Sequence, residues 1–368
     1  MSGRRLALLC AAALAGSPAL AGSIDRSGLG LGALFEAGDY FEASLLHVAP
    51  SVRGSDLLGG RTGNVGGDYW QGSLSAKFDV TERLSLAALV DQPYGADLLY
   101  GTGSPMLGGT RVAVATQAAV GLARYRLDDA FSVHGGLRLQ HASAEVRLRG
   151  LAYGPVDGYR VRLDDNWETG WIAGAAYERP DIGLRLAATY HSRIEHALPT
   201  DESAPLAPLN GRSTTRISTP RSVNIDFQTG IAADTLLFGQ LRWAHWSEFR
   251  VIPERFLAVT GEGLIELGDI RTYTLGIGHR FSDRWSGALS VHFEDKGKDL
   301  ISPLSPVNGR HGIMLAAVHT AGKMSVTAGV SYVRLGDAKL ETGTPDTLRA
   351  TMRDNHSIGM GVKLGWGF

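Results

Sequence analysis

Past its first twenty or so residues the chain repeats one pattern: about ten residues of alternating apolar and polar side chains, a short polar turn, another such run, then a long irregular loop. Successive side chains of a strand point to opposite faces, so each run has one greasy side and one polar side. Val223, Ile225, Phe227, Thr229 and Ile231 share a face, with Ser222, Asn224, Asp226 and Gln228 on the other. Beyond the turn at 232–235, Leu237, Leu241 and Trp243 look outward while Gln240 and Arg242 look inward. Leu184, Leu186, Ala188 and Tyr190 alternate in the same way with Arg185, Ala187, Thr189 and His191. The last run closes on Trp366, Gly367 and Phe368, the aromatic ending expected of an outer-membrane strand and of its assembly signal.

A soluble sandwich also alternates, but there the apolar faces of two sheets pack on each other. Two features favour a membrane instead. Tight turns near 80–83, 127–130, 180–183, 232–235, 282–284 and 320–322 are separated by loops of roughly ten to twenty residues, the asymmetry of periplasmic turns and extracellular loops. Tyr190, Trp243, Trp285, Tyr332, Trp366 and Phe368 fall toward strand ends, where an interfacial aromatic belt needs them.

The expected fold is therefore all-β, a transmembrane antiparallel β-barrel of about fourteen strands with a short N-terminal plug segment. The strands are expected at 39–51, 69–79, 84–93, 110–126, 131–147, 159–178, 184–197, 213–231, 235–248, 269–281, 285–295, 310–319, 323–335 and 355–368. A barrel of this size is too wide for wall side chains to fill, so a plug, infolded loops or water must occupy it.

Composition adds an address. Arg4 and Arg5, the apolar stretch from Leu6 to Leu14, and Ala19-Leu20-Ala21 read as a secretory signal over residues 1–21, leaving 22–38 as a lumen segment and 39–368 as the barrel. The single Cys, Cys10, falls inside that signal, so the exported chain carries no thiol, consistent with an oxidising periplasm. No later segment has the 18 or so uninterrupted apolar residues of a membrane helix. With 368 residues, a formal charge of -1 and no linker or charge block, the chain reads as one domain.

The stretch Thr219-Pro220-Arg221 through Gly239, continuing to Trp243-Ala244-His245-Trp246-Ser247-Glu248-Phe249, resembles the FadL-type outer-membrane transporters of long-chain fatty acids and other hydrophobic compounds. The preceding strand, Leu184 to Ile194, is similar to that family too. The resemblance implies passive uptake in the outer membrane of a Gram-negative bacterium. A fatty acid or other hydrophobic molecule is caught by loops, passes to a lumen pocket and leaves sideways through a kink in the third strand. Outer-membrane lipid and the barrel-assembly machinery are the implied partners, with no nucleic acid. Pro93, Tyr94 and Gly95 lie where the kink falls, since Pro lacks the N–H a ladder needs; alternatively, strand three simply ends there. One departure stands out: the family's N-terminal hatch is longer and carries an Asn-Pro-Ala signature, whereas here only Gly22 to about Ala37 precedes the first strand.

Chemical candidates are few. Gly28-Leu29-Gly30-Leu31-Gly32 lacks the strand and helix of a nucleotide loop. His191 and His196, five apart on an unbroken strand, face opposite sides and argue against a shared metal. No cofactor, metal or catalytic residue is expected, and the chain is not read as an enzyme. Arg185, Arg193, Arg242 and Arg280 are expected to face inward, either as donors to a ligand carboxylate or as wall pairs with Asp226, Glu195 or Glu294. Leu98, Leu99, Tyr100, Met106 and Leu107 make the loop from Ala96 to Gly109 a capture surface or rim packing, and Trp246 and Phe249, at the end of strand nine, extend it. The candidate ligand residues are these five with Arg193, Arg242, Trp246 and Phe249. The rival functions are a general diffusion porin, an outer-membrane lipid hydrolase and a structural barrel.

Overall fold

The computed structural model describes residues 24–343 and 345–368, so the signal segment and Cys10 lie outside the described residues. Fourteen antiparallel strands close on themselves. They are β1 (Tyr40–Ser51), β2 (Tyr69–Asp79), β3 (Leu84–Asp91, then Gly95–Leu99), β4 (Arg111–Arg126) and β5 (Phe131–Arg147). Next come β6 (Arg160–Arg179), β7 (Leu184–His191, then Ile194–Ser203), β8 (Gly211–Thr219, then Ser222–Ala232) and β9 (Thr235–Ala244). The circuit ends with β10 (Ile270–Arg280), β11 (Trp285–Glu294), β12 (Arg310–Ala321), β13 (Met324–Leu335) and β14 (Asn355–Gly367). Each strand pairs with its sequence neighbours, and β14 returns to β1 from Tyr40↔Gly367 to Ser51↔His356, which closes the barrel.

Burial is inverted relative to a soluble protein. Leu45, Leu137, Val291, Leu315 and Met360 are exposed, while Gln71, Ser75, Thr189, Asn224, Ser290 and Thr327 are buried. Only hydrocarbon on the outside reconciles that pattern with the sequence. Hairpins on the short-turn side are tight, and Asp234 (φ 56°) and Gly322 (φ 61°) supply the left-handed geometry such turns need.

Three strands are interrupted at the same height above those turns. In β3, Asp91 pairs with Ala118 and Gly95 with Ala115, so Gln92, Pro93 and Tyr94 stand opposite only Thr116 and Gln117. That extra residue is a β-bulge, and β3 resumes above it rather than ending. In β7 and β8 the ladder runs to His191↔Ser222 and resumes at Ile194↔Thr219. Both had been expected to run unbroken. Pro220 has no N–H to give, and the pair Ser192–Arg193 leaves the ladder opposite Pro220–Arg221.

The breaks flip the inward phase, and two expectations change with it. Arg193 points out of the barrel, exposed, rather than inward. His191 and His196 are both buried on the lumen side rather than on opposite faces. A third correction is that β9 stops at Ala244, and Trp246–Glu248 form a 3-10 turn that carries Trp246 back over the lumen.

If the apolar face meets lipid, a charge placed there is penalised. Leu137, the most exposed of the β5 apolar residues at 68%, stands partway up the strand from its turn. Leu137→Arg is expected to lower folding stability in lipid vesicles by about 2–4 kcal/mol, read by denaturant unfolding; an unchanged midpoint would contradict a lipid-facing wall.

Candidate functional site

Residues 24–38 run inside the barrel, and charge rather than grease fixes them. Asp25 accepts a hydrogen bond from Arg242 Nε at 2.9 Å, with Nη2 in ion-pair contact at 2.8 Å, and Arg242 Nη1 donates to Ser222 Oγ and Asn224 Oδ1. Asn224 Nδ2 donates to the Gly28 carbonyl at 2.8 Å. Gly28, with φ 65°, turns the segment at that point. Leu31 and Leu34 then pack on Ala87, Val120, Leu122 and Ile172 of the wall, and Phe35 lies under the Arg124 and Arg185 guanidinium groups. At the exit, Lys77 Nζ donates to the carbonyls of Glu36 and Gly38 before the chain enters β1.

The start of this segment fills the break in β3. Arg26 N–H donates to the Pro93 carbonyl and Gly95 N–H to the Ile24 carbonyl, each at 2.8 Å. The β2–β3 ladder stops at Leu74↔Val90, so above it the wall between the two strands is unzipped. Arg26 lies over the Tyr69 ring at 4.0 Å and packs on Gly95, where any Cβ would meet its guanidinium. Tyr94, buried, stacks edge-on against Trp246 at 5.2 Å, and Trp246 in turn meets Phe249 at 5.5 Å.

Beside the break is a cavity of about 210 Å³, bounded by Arg26, Leu31, Phe35, Leu89, Asp91, Phe238 and Gln240. A larger hollow of about 810 Å³ lined by Leu241, Tyr273, Phe293 and Tyr332 lies on the apolar outer wall. Above the cavity the long loops fold together into one buried apolar cluster that includes Leu98, Tyr100, Met106, Leu107, Trp246, Phe249 and Phe256.

That cluster revises the candidate ligand set. Leu98, Tyr100, Met106 and Leu107 are buried, Tyr100 with its hydroxyl on the Pro303 carbonyl at 2.7 Å, so they form packed rim rather than an exposed capture surface. Leu99 alone of the five is exposed. Among the arginines, Arg242 is engaged by Asp25, Arg185 by Gln228 and Arg280 by Asp234. Glu294 is held by Arg310 at 2.8 Å. The lumen contacts of Asp25, Arg26 and Phe35 escaped the sequence reading; a charged pair just ahead of a Gly/Leu-rich segment was the available signal.

The loop cluster is clasped by Asp56, which accepts from Ser104 Oγ at 2.6 Å and from the N–H groups of Gly60, Leu58 and Met106. Burial by itself would raise its pKa, but these four bonds outweigh burial and hold the carboxyl below its ordinary 3.8.

A closed barrel, apolar outside, with a pinned lumen segment and a broken wall strand, is an outer-membrane channel. The chain belongs to the family of outer membrane transport proteins of the OMPP1/FadL/TodX type, whose model matches residues 1–295. Among solved structures it is similar to a FadL homologue of Pseudomonas aeruginosa, at 15% identity and TM-score 0.77 over 96% of this chain and 97% of that one. It is similar as well to the toluene transporter TodX of P. putida, at 13% identity, TM-score 0.65, and coverage of 90% and 91%. The toluene transporter TbuX of Ralstonia pickettii matches at 13% identity, TM-score 0.63, and 91% of both chains. No curated protein matches the sequence. The protein is thus an outer-membrane transport channel for hydrophobic compounds and not an enzyme.

Two outcomes follow from the geometry. Asp25→Ala strands a buried guanidinium and should cost about 3–5 kcal/mol, part of it recovered in the Asp25→Ala/Arg242→Ala double variant. In planar bilayers Asp25→Ala should also raise ion conductance as the lumen segment loosens, and an unchanged conductance would count against a pinned plug. For Asp56, the folded pKa lies below the unfolded one, so its bonds stabilise the loops above the unfolded value of 3.8 and that contribution is lost as pH falls through the folded value. Hydrogen exchange in residues 54–60 and 104–108 should therefore accelerate below about pH 4 relative to the intrinsic rate, and Asp56→Asn should abolish the acceleration.

Proposed function

We propose that the channel admits small hydrophobic molecules passively, from the extracellular loops to the lumen cavity and out sideways through the break in β3. The observation that carries this is the contact between cavity and break: the wall beside Pro93 is unzipped, and residues 24–26 stand in it. Movement of those few residues joins the cavity to the bilayer. The sorting force is apolar transfer, about 0.8 kcal/mol per buried methylene, which favours hydrocarbons and acyl chains over sugars.

Size refines the substrate. An apolar cavity of about 150 Å³ takes benzene, so the space beside β3 suits one aromatic ring or a short acyl segment. Monoaromatic hydrocarbons, the cargo named for the TodX and TbuX transporters, fit within it. A long-chain fatty acid, the substrate expected from the sequence, must extend beyond it while in transit. Outer-membrane lipid surrounds the wall, and Trp366 and Phe368, stacked at 5.3 Å and exposed, suit the terminal signal read by barrel-assembly machinery.

Deleting Pro93 removes the one surplus residue and lets β3 zip onto β4. Uptake of toluene by cells expressing this variant should fall about tenfold while the barrel still folds, since lateral exit needs the unpaired wall. Undiminished uptake refutes the β3 route, and rapid swelling of sugar-loaded liposomes without any effect on oleate points to a diffusion porin.

A further inference from the structure

The paired breaks in β7 and β8 do more than flip a phase. Above them, residues 194–219 form a hairpin with its own ladder, Ile194↔Thr219 to Glu202↔Gly211. One flank of that hairpin has no ladder partner, because β9 stops at Ala244 opposite Ser222. On the other flank, β6 pairs with β7 from Ile172↔His191 downward and again at the tip from Leu163↔Thr200 to Arg160↔Ser203. Between these, Asp164–Trp171 and Ser192–Pro199 form no continuous ladder, one backbone bond from Ser192 N–H to the Trp171 carbonyl at 2.9 Å standing at the lower end, although the register is the same at both ends of the gap. The stretch is therefore unzipped rather than slipped.

Above that bond and the donation of Trp171 N–H to Ser192 Oγ at 2.8 Å, side chains hold this seam shut. Gly170 leaves room for Ile194, whose Cγ1 would lie 2.6 Å from any Cβ placed on that glycine. From β5, Arg138 reaches over Gly170, its ladder partner, and donates to the Ser192 carbonyl at 3.2 Å. Gln140 bonds His196 at 3.1 Å, His196 bonds Asn166 at 2.8 Å, and Asn166 donates to the Ala197 carbonyl at 3.3 Å. Such bonds part at less cost than a continuous backbone ladder in lipid.

The chemistry at the inner lip is specific. Arg138 is 1% exposed, has no carboxylate partner among the described residues, and keeps Nε and Nη1 unbonded. His191, 0% exposed and adjacent to the carbonyl Arg138 holds, has neither ring nitrogen bonded. A buried guanidinium without counter-charge is costly, and a carboxylate offers two oxygens matched to its fork. The seam begins about ten residues above the short turn; at ~3.3 Å per residue and ~40° tilt that is about 25 Å, the top of the apolar band. Trp167 and Trp171 stand exposed on its outer side, as interfacial residues do.

We propose that the β6–β7 seam is a second lateral opening, separate from the break in β3, through which amphiphiles bearing a carboxylic acid pass at the outer-leaflet boundary with the head group bound by Arg138. The hairpin 194–219 is its flap: it stays tied to β6 at the tip, from Leu163↔Thr200 to Arg160↔Ser203, and bows outward between that ladder and the unpaired Ser192–Arg193 and Pro220–Arg221. This rests on the hydrophobic-compound channel reading above.

The test locks the flap. In a Cys10→Ser background, Thr169→Cys and Glu195→Cys, which face outward on the two sides of the seam, are joined by a short, reducible bismaleimide. Oleate uptake should fall about tenfold on locking and return on reduction, while toluene uptake persists through β3. Separately, Arg138→Gln should weaken oleate binding to the folded, heat-modifiable barrel about tenfold and oleyl alcohol binding less than about twofold. Oleate uptake indifferent to locking overturns the opening, and equal loss of acid and alcohol binding reduces Arg138 to a wall residue. Absence of both toluene and oleate uptake in the unmodified protein strikes the channel reading instead.

Discussion

The constraint on which this molecule depends is that a peptide group facing hydrocarbon has no water to bond. Each unpaired N–H or C=O there costs several kcal/mol, which is why the sheet closes from β14 onto β1 and why most of its ladders run without interruption. Against that background a break in the ladder is expensive and persists only where something else supplies the missing partners. At β3 the partners are the backbone of Ile24 and Arg26. At the seam between β6 and β7 they are side chains of β5, β6 and β7, with one backbone bond from Ser192 to Trp171. Both substitutes detach more easily than a strand, so the weak points of the wall are also its candidate doors.

The lumen segment solves a related problem with few residues. A short plug buries little apolar surface, with Ile24 and Leu29 in the upper cluster and Leu31 and Leu34 on one side of the wall. Its register is set by one buried ion pair, Asp25 with Arg242, whose Nη1 is also bonded to Ser222 and Asn224. Such a pair adds little net stability compared with apolar residues of the same volume, but it penalises every position in which either charge is left alone. Register, more than strength, is what the segment needs in order to keep Ile24–Arg26 in the β3 break.

The sequence made the barrel plain because alternation is a local signal, repeated in each strand and read without tertiary information. Boundaries such as 69–79 and 131–147 match the strands observed. Alternation fails wherever one residue is inserted, since every side chain beyond changes face. In β7 and β8 two residues face two across the break and the register is kept, but both strands lose their alternation there together, which is how Arg193 came to be placed inside and His196 outside. Pro220 marked one break in plain sight, whereas Ser192–Arg193 carries no such mark and yields only because its partner does. The loop residues Leu98, Tyr100, Met106 and Leu107 illustrate the other limit: composition shows that they are apolar, but only the fold of several distant loops together shows that they are already buried.

That burial bears on how a ligand gets in. An exposed apolar loop would bind substrate directly but would also bind other chains and lipid, and large exposed apolar patches are uncommon outside binding sites. Here the loops satisfy one another, with Asp56 drawing residues 58–60 and 104–106 onto a single carboxylate. Access from the exterior therefore requires the cluster to open locally, while access from the outer leaflet requires only that a seam part. In the route proposed here the packed top must part locally to admit a molecule, and the interrupted side, already held by fewer backbone bonds, is where it leaves.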